Sequence, residues 1–499
     1  MFDKFAKAHP VAVMARALME RALEPKGLDA LFRKHAKRQY EKELLFSTMV
    51  EVMALVVCRM QPSVNQAYAM MREQIPVSLT ALYAKIDGVE VGTSEALVAH
   101  SAERLRPIVE ELGAPDEPWL EGHRIKVLDG NHLAATDRRL SVLQDCAAGP
   151  LPGQALVVME PETGLVTQIV GCEDGHAQER SLVEAVIAAV QPGDVYIADR
   201  NFCTAKMLNG IAGRDGFFVI REHAQIPVVS EGTLRARGRS DSGSAFEQSV
   251  VLRLDDREVT VRRVVLRLDA PTRDGETQMA ILTNLSANVD AVTIAGLYRR
   301  RWTIESLFAR VERNLHSELA SLGYPGAAVF GFAVALVASN VFAVVQAALK
   351  AAQKKLADTT IAEMPLSEFS IVEDIRTVQP GMKVMLDDKQ WRPFRDEPAP
   401  RFAKLLLRWS QHVEWRNFRK AVRGPKVSVT TMFEWHASTK NEGRGAVRRA
   451  ARARPAGGGR VPRGCGSRRG PSARPVRVEG ERELVAARGR RRGRRSRRR

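Results

Sequence analysis

The chain has 499 residues, of which 45% are hydrophobic and 27% charged. This apolar content is enough for several packed domains and excludes a wholly disordered protein. Its formal net charge of +18 suggests a nucleic-acid partner, but residues 444–499 hold 21 arginines, no lysine and only three glutamates. Because residues 1–443 are therefore net neutral, overall charge says nothing about DNA binding by that larger part, which depends on local basic patches.

Residues 1–120 are predicted to be a helical DNA-binding region, because apolar residues recur there every three or four positions. Residues 64–74 and 79–89 flank a turn, and Ser78 is a suitable N-cap for the second of these segments. This arrangement is typical of a helix-turn-helix motif. Two helices that pack in a bundle without touching DNA fit the same pattern, so both interpretations stay open.

From residue 121 the apolar pattern changes to that of strands. Runs at residues 124–130, 154–160 and 165–171 predict an antiparallel meander, which is followed by a helix, a strand that ends at Asp199, a second helix and a further strand. This is the order of an RNase H-like core. The predicted fold class is therefore α+β or α/β, with a mixed sheet flanked by helices and residues 121–223 as the first part of the core.

The rest of the chain is divided by its changing pattern. Residues 224–286 alternate polar and apolar positions and predict a β-rich insertion, and residues 287–352 are assigned to the second part of the core. Residues 327–349 within that part are long and apolar enough to span a membrane, but Ser339, Asn340 and Gln346 interrupt them, which favours a buried helix.

Residues 353–443 are predicted to form a C-terminal helical region. Its segment 404–426 is strongly basic and interleaves the charges with Trp409, Trp415 and Phe418. These aromatic side chains are either the buried face of one amphipathic helix or a platform on which DNA bases stack.

Three acidic residues lie where a metal-dependent nuclease would need them. Asp129 and Asp199 each end a short apolar run that predicts a strand, and Glu305 lies in an arginine-flanked helical pattern. Carboxylates that converge from two strands and a helix provide hard oxygen ligands for Mg²⁺ or Mn²⁺. Most acidic residues are solvated surface groups, so the triplet alone does not identify a site.

The residues around these acids resemble a known family. Tyr298 and Arg301 precede Glu305 on the same helical pattern, Asp199 is followed by Arg-Asn-Phe, and Asp129 is followed by Gly-Asn. Together they resemble the tyrosine–arginine–glutamate signature and the aspartate blocks of the DDE transposases of insertion sequences, of the IS-four type, over roughly residues 30–350. The resemblance implies that Asp129, Asp199 and Glu305 are the catalytic residues and bind two Mg²⁺ or Mn²⁺ ions, with no organic cofactor.

The same resemblance implies that Tyr298 and Arg301 contact the DNA backbone near the cleavage point. Further DNA-binding candidates are basic residues close to the acidic blocks or in the basic C-terminal segment, namely Arg200, Arg221, Arg300, Arg310, Arg313, Arg416, Arg419 and Lys420. Arg200 and Arg221 fit equally well as partners of carboxylates.

Four positions near the motif have other interpretations. The lysine that the family carries seven residues after the glutamate is Glu312 here, which leaves open whether the chain makes one phosphate contact fewer. Trp302 is predicted to anchor the catalytic helix in the core. His132 and His176 are predicted to be surface or hydrogen-bonded residues, because a two-metal site needs no imidazole. The β-rich insertion has no tryptophan, so use of a hairpin intermediate also stays open.

The expected function is that of a cut-and-paste DNA transposase, which cleaves at insertion-sequence ends and transfers the strands to target DNA. Its expected partners are double-stranded DNA, as terminal inverted repeats and as target, and a second copy in a homodimeric synaptic complex. Scattered cysteines without a Cys-X-X-Cys pair are typical of a reducing bacterial cytoplasm, where such a protein is nucleoid-associated, and no membrane role is expected. The alternatives are an RNase H-like nuclease without strand transfer and a catalytically inactive, arginine-rich nucleic-acid-binding protein.

Residues 444–499 are expected to be disordered, because they lack the apolar residues that offset the entropy of ordering. An arginine-rich arm that binds nucleic acid electrostatically and the end of a gene read in a shifted frame both explain their composition.

Overall fold

The computed structural model describes residues 1–113, 118–133, 153–175, 177–255, 257–272, 275–319 and 322–421. Within these ranges the chain forms one ten-stranded sheet that is covered by helices. The expectations for His176 and for residues 444–499 lie outside the described residues.

The N-terminal region is helical, as its periodicity predicts. The side chain of Ser78 accepts a hydrogen bond from the Ala81 N–H and so caps the helix that begins at Leu79. The helices are α1 (Phe2–Ala8), α2 (Pro10–Ala22), α3 (Pro25–His35), α4 (Phe46–Val57), α5 (Val64–Met70), α6 (Leu79–Asp87) and α7 (Val91–Glu111).

The first five strands have the topology that the sequence predicts for an RNase H-like core. The strands are β1 (Arg124–Leu133), β2 (Gly153–Glu160), β3 (Leu165–Cys172), β4 (Asp194–Ala198) and β5 (Phe217–Arg221). Their spatial order is β3-β2-β1-β4-β5, in which β1, β2 and β3 are antiparallel and β4 and β5 run parallel to β1 and to each other. The predicted fold class, a mixed sheet flanked by helices, is confirmed.

One strand boundary differs from its prediction. Asp129 does not end β1, which continues to Leu133 because β2 pairs with it along this stretch. The parallel pairing with β4 stops earlier, at Val127. Beyond that point the described residues give β1 a strand partner on one side only, which leaves the sheet open beside Asp129.

The segment that follows β5 is β-rich, as predicted, and it continues the same sheet. Its strands are β6 (Val228–Glu231), β7 (Arg235–Ser240), β8 (Gly243–Leu254), β9 (Arg257–Leu268) and β10 (Gln278–Thr283). Strand β10 pairs with β5, and β9 and β8 follow it in antiparallel order. Gly243 has φ +150 at the start of β8, and a side chain there would overlap the backbone of Arg267, so the hairpin turn requires glycine.

Helices on the two faces of the sheet enclose separate cores. Between the core strands lie a 3-10 helix (Glu179–Leu182), α8 (Val183–Ala188), a 3-10 helix (Arg200–Phe202) and α9 (Ala205–Ala212). After β10 come α10 (Ala291–Arg299), α11 (Trp302–Asn314), α12 (Pro325–Gln353), α13 (Thr359–Ala362), α14 (Glu368–Met385) and α15 (Ala399–Ser410), with short 3-10 helices at Asp388–Gln390, Arg392–Arg395 and Trp415–Phe418. Residues of α8 and α9 form the smaller core, and the other helices form the larger one.

Helix α12 is the apolar segment that is long enough to cross a membrane, and 94% of its most apolar window is buried inside the fold. It packs against α7, α2, α4 and strand β3. The side chain of Asn340, in the middle of α12, accepts a hydrogen bond from the Val166 N–H at 2.7 Å and donates one to the Val166 carbonyl at 3.0 Å. It thus replaces the missing neighbour of the edge strand β3, and the prediction of a buried core helix is confirmed.

The basic C-terminal segment is not one helix. Helix α15 ends at Ser410, and a separate 3-10 helix holds Trp415 and Phe418. Trp409, Trp415 and Phe418 are all less than a tenth exposed. The interpretation in which they stack on DNA bases is therefore wrong, because none of these rings has a face open to solvent.

Candidate active site

The register of two parallel strands aligns Asp129 with Asp199. Val127 of β1 lies opposite Ile197 of β4, so the residue two positions further along each strand is an aspartate. Since the strands are parallel, both side chains lie at the same end of the sheet, where the pairing between β1 and β4 has stopped. This is the open part of the sheet beside β1.

Asp199 also begins a short helix. Its Oδ1 accepts a hydrogen bond of 2.7 Å from the backbone N–H of Asn201, which makes it the N-cap of the 3-10 helix Arg200–Phe202. Capping fixes the carboxylate relative to the end of β4. One oxygen of Asp199 is thereby oriented by the backbone.

Arg301 joins the other two predicted acids. Its Nη1 lies 2.9 Å from Asp129 Oδ2, and its Nη2 lies 2.7 Å from Glu305 Oε1. Glu305 is in the first turn of α11, and Arg301 directly precedes that helix. Arg301 is 8% exposed. The side chain of Asp129 is 19% exposed and that of Glu305 is 39% exposed, so the pair with Asp129 is the better shielded from water. Residues of β1 and α11 that are far apart in sequence are thus held at one place.

The charge balance of the site is negative despite this arginine. The pKa of Asp129 is raised to about 6: burial is the main cause, and the nearby carboxylates of Asp199 and Glu179 act in the same direction, while Arg301 and the Gly130 N–H act in the opposite one. A carboxyl group whose pKa is raised by burial and by like charges is typical of sites that bind a cation or transfer protons.

The donor atoms suit a hard divalent cation, since carboxylate oxygens are the ligands that Mg²⁺ and Mn²⁺ prefer. Among the described residues, however, no three acidic, histidine or cysteine side chains are close enough to hold one ion together. In this arrangement the cation shared by Asp129 and Glu305 is the guanidinium of Arg301. The residues therefore fit a metal site by chemistry, and they would have to move closer together to coordinate an ion.

Several predicted DNA-binding residues have partners within the protein. Tyr298 is 6% exposed, and burial raises its pKa. Arg200 and Arg221 both pair with Glu276, and Arg310 pairs with Glu368 at 2.8 Å. Arg301, which pairs with Asp129 and Glu305, also belongs to this group. Arg200 and Arg221 thus contact a carboxylate, as one of their two interpretations expects, and their contact with DNA stays a prediction.

The other predicted DNA-binding residues lie on the surface. Their side chains are exposed, and they are Arg300, Arg313, Arg416, Arg419 and Lys420. The guanidinium of Arg300 stacks over the ring of Trp119 at 5.0 Å from its centroid. The backbones of Arg419 and Lys420 bond to the segment 365–366, so this basic patch is anchored to the fold.

Trp302 and His132 are both exposed. Trp302 was expected in the core, but it is 62% exposed, because it occupies the first position of α11 on the side opposite the buried residues Ile304 and Leu307. The prediction of a core anchor is wrong. His132 lies on the surface, as predicted.

The pattern of the sequence did not reveal one acidic residue of the site. Glu179, in the 3-10 helix after β3, accepts a 2.6 Å hydrogen bond from Asn201 Nδ2, and its carboxylate lies so close to Gly130 that a Cβ there would overlap it. Arg180 fixes the same amide by donating to Asn201 Oδ1 at 3.1 Å. The periodicity places Glu179 in a helical stretch and assigns it no role. Its position in the segment that leads into the Asp199 strand is the signal that could have indicated it as a site residue.

Comparison with known proteins adds independent findings. Residues 153–340 match the family model described as the transposase DDE domain. A curated protein of Sinorhizobium fredii, named as a candidate transposase (y4zB), is 26% identical over 160 residues, which are 32% of this chain and 44% of that protein. The cryo-EM structure of a piggyBac transposase synaptic complex with hairpin DNA covers 77% of this chain and 84% of that chain, with a TM-score of 0.35 and 8% identity. The last likeness is too weak to support any conclusion.

Proposed function

We propose that the chain is a DNA transposase that cleaves the ends of an insertion sequence and transfers them to target DNA, on the premise that residues 153–340 match the family model described as the transposase DDE domain. The observation that carries the proposal is the pair of contacts through which Arg301 joins Asp129 to Glu305. These contacts bring the first and third acids of the signature to one place, beside the strand end that carries Asp199.

In this proposal Asp129, Asp199 and Glu305 hold Mg²⁺ or Mn²⁺. The ions supply electrostatic stabilisation of the oxygens that attack and leave the phosphorus atom. The protein residues keep these carboxylates in place. Arg301 holds Asp129 and Glu305 facing each other, and the Asn201 N–H orients one oxygen of Asp199.

The exposed cations are the first candidates for contacts with DNA phosphates. Arg300, Arg313, Arg416, Arg419 and Lys420 can neutralise phosphates without breaking an ion pair. Arg200, Arg221, Arg301 and Arg310 would first have to exchange a carboxylate for a phosphate. We propose that Arg301 binds DNA after the acidic site is loaded, since a cation there competes for Asp129 and Glu305. Arg200, Arg221 and Arg310 would instead release Glu276 and Glu368, which lie outside the three acids.

Cut-and-paste transposition joins two ends in one complex, so we propose a homodimer on double-stranded DNA. Cleavage and strand transfer use the same displacement chemistry with different nucleophiles, which requires no organic cofactor. An RNase H-like nuclease without strand transfer is the second candidate, because it would use the same carboxylates.

The test uses duplex oligonucleotides that carry the inverted repeats flanking the gene. We expect the full chain to cleave them with Mg²⁺ or Mn²⁺ and the Asp199→Ala variant to lose at least about 10³-fold in rate, since the electrostatic stabilisation of the reacting oxygens is usually the largest contribution to catalysis. Asp396→Ala is the matched control, because Asp396 is 84% exposed and pairs loosely with Arg104 at 3.5 Å. Cleavage by Asp199→Ala at the rate of the unaltered chain would reject the proposal.

A second readout separates the two candidate functions. A transposase joins the freed 3′ ends to a supercoiled plasmid, and the joined product is detected by gel mobility and by sequencing of the junctions. Cleavage without any joined product would favour the nuclease.

A further inference from the structure

A polar pocket lies beside Gly130, next to the acidic site. We call it the side pocket, and the residues of it that matter here are His132, Gln154, Glu179, Arg180 and Asn201. The resemblance to the transposase family assigns none of them a role except Asn201, as part of the Asp199 block. The side pocket therefore contains polar groups whose role the three signature acids do not explain.

Glu179 extends the acidic site into this pocket. Its carboxylate lies against the backbone of Gly130, the neighbour of Asp129. Asn201 holds Glu179 through its side chain at 2.6 Å and Asp199 through its backbone N–H at 2.7 Å. Asn201 thus links Glu179 to Asp199, and the backbone of Gly130 lies between Glu179 and Asp129. Among the described residues no three acidic side chains are close enough to hold one ion in this arrangement, and only Asp129 of these three is paired with Arg301.

A second observation indicates that the pocket accepts a ligand. Gln154 lines it and is 1% exposed, and its Oε1 has no hydrogen-bond partner within the described part of the chain. Its Nε2 donates to the Ala177 carbonyl, which fixes the amide so that the oxygen is the free end. A buried oxygen without a partner is costly, by about 1–3 kcal/mol. The missing group is therefore an electropositive one, either a cation or a hydrogen-bond donor.

We propose that Glu179 and Gln154 form a cation subsite beside Asp129, and that Glu179 is a fourth acidic residue of the catalytic centre. A carboxylate, an amide oxygen and neighbouring carboxylates are the oxygen ligands that Mg²⁺ and Mn²⁺ take, and such ions keep several waters when protein ligands are few. Arg180 does not oppose this role, because it donates to Asn201 Oδ1 and thereby fixes the amide that holds Glu179.

The inference rests on the proposed function, since it adds a ligand to the metal-binding centre of that function. A DNA phosphate is the competing occupant, because Arg180 lies at the pocket. Glu179 disfavours an anion, and the acceptor oxygen of Gln154 cannot donate to one. The cation is therefore the occupant that the geometry supports.

The test measures Mn²⁺ binding directly, by isothermal titration calorimetry and by the loss of the free-ion electron paramagnetic resonance signal, on the full chain without DNA. We expect Glu179→Gln to weaken Mn²⁺ binding about 10–100-fold, as loss of a supporting carboxylate at metal sites does. Glu184→Gln is the matched control, since Glu184 follows in the next helix, is 80% exposed and pairs with Lys206, and its affinity should equal that of the unaltered chain.

A second variant tests the placement of Glu179 without removing its charge. Gly130→Ala adds a methyl group where the Glu179 carboxylate lies and should weaken Mn²⁺ binding by a similar factor. Thermal unfolding of each metal-free variant identifies any that fails to fold, and the other variant then carries the test.

The outcomes separate this inference from the proposed function. If Asp199→Ala abolishes Mn²⁺ binding while Glu179→Gln and Gly130→Ala bind like the unaltered chain, the subsite is wrong and the three-acid site stands. If the unaltered chain binds no Mn²⁺, both are overturned. If Glu179→Gln leaves Mn²⁺ binding intact and weakens binding of inorganic phosphate, a phosphate occupies the pocket and the cation subsite is rejected.

Discussion

The guanidinium of Arg301 contacts other groups than the signature predicts. The resemblance predicted that it binds a DNA phosphate, whereas here it is buried between Asp129 and Glu305. The partly buried carboxylate of Asp129 attracts the nearest cation strongly, because the local dielectric constant is lower than that of water, and the more exposed Glu305 holds the other side of the same guanidinium. In the absence of DNA and metal, Arg301 is that cation.

The stability of the metal-free protein should depend on the protonation of Asp129. Its folded pKa of about 6 lies above the unfolded value of about 3.9, so the folded state binds the proton more tightly. The contribution of this proton to the free energy of unfolding is therefore complete below about pH 4, and it is lost as the pH rises through 6.

We expect Asp129→Asn to raise the free energy of unfolding at pH 7.5 by up to about 3 kcal/mol and to leave it nearly unchanged at pH 4. Urea unfolding in the presence of a chelator at both pH values measures this difference. A variant that is less stable than the unaltered chain at pH 7.5 would mean that the ion pair with Arg301 outweighs the cost of burial.

At the residue scale, the sequence was informative where chemistry and local pattern coincide. Strand ends and helical spacing indicate Asp129, Asp199 and Glu305 as candidates, the family resemblance implies their role, and the structure brings Asp129 and Glu305 together through Arg301. Glu179 was missed because its proximity to Gly130 depends on how the segment after β3 packs across β1, and this is a contact between distant positions. Trp302 was misassigned because a helical period shows which residues share a face but does not show which face is buried.

At the element scale, the local pattern predicted nearly every strand and helix of the core, but it could not predict which strands pair. The β-rich insertion was recognised from its alternation, whereas the pairing of β10 with β5, which makes it part of the core sheet, depends on side chains and backbone groups more than 50 positions apart. The continuation of β1 past Asp129 also depends on pairing between strands, since β2 pairs with β1 there.

Helix α12 provides the prediction at this scale. Asn340→Leu keeps the volume and the apolar character of the helix but removes the hydrogen bonds to Val166 of the edge strand and to Ser101. Because buried backbone groups would lose their partners, we expect a loss of about 2–4 kcal/mol in the free energy of unfolding.

Gln346→Leu in the same helix is the control for that experiment, since Gln346 is only partly buried and we expect an effect within about 0.5 kcal/mol. Denaturant unfolding measures both variants. Equal losses would show that Asn340 contributes nothing specific to β3.

At the scale of the whole molecule, charge is distributed unevenly along the sequence. Residues 444–499 account for the entire net charge, and residues 1–443 are neutral. If that segment is a functional arm, it should dominate binding to DNA of random sequence, while cleavage at the insertion-sequence ends should depend on the acidic site.

We expect a chain that ends at residue 443 to retain cleavage of the terminal repeats and to show a shallower salt dependence of binding to random-sequence DNA. The slope should fall by about 0.9 for each phosphate that residues 444–499 neutralise in the full chain. Fluorescence anisotropy at several NaCl concentrations measures that slope. Binding that vanishes with residues 444–499 but survives Asp129→Ala would instead identify an inactive arginine-rich DNA-binding protein.

The buried position of α12 also has a consequence for synthesis on the ribosome. A helix this long and apolar resembles a signal for membrane insertion when it first emerges. Most of the elements that cover it, namely α2, α4, α7 and β3, precede it in the chain, and α15 follows it. Since chains fold from the N-terminus as they are made, the preceding partners are already available when α12 leaves the exit tunnel. The order of elements therefore gives the nascent chain most of the partners of α12 by the time α12 emerges, and α15 completes its cover afterwards.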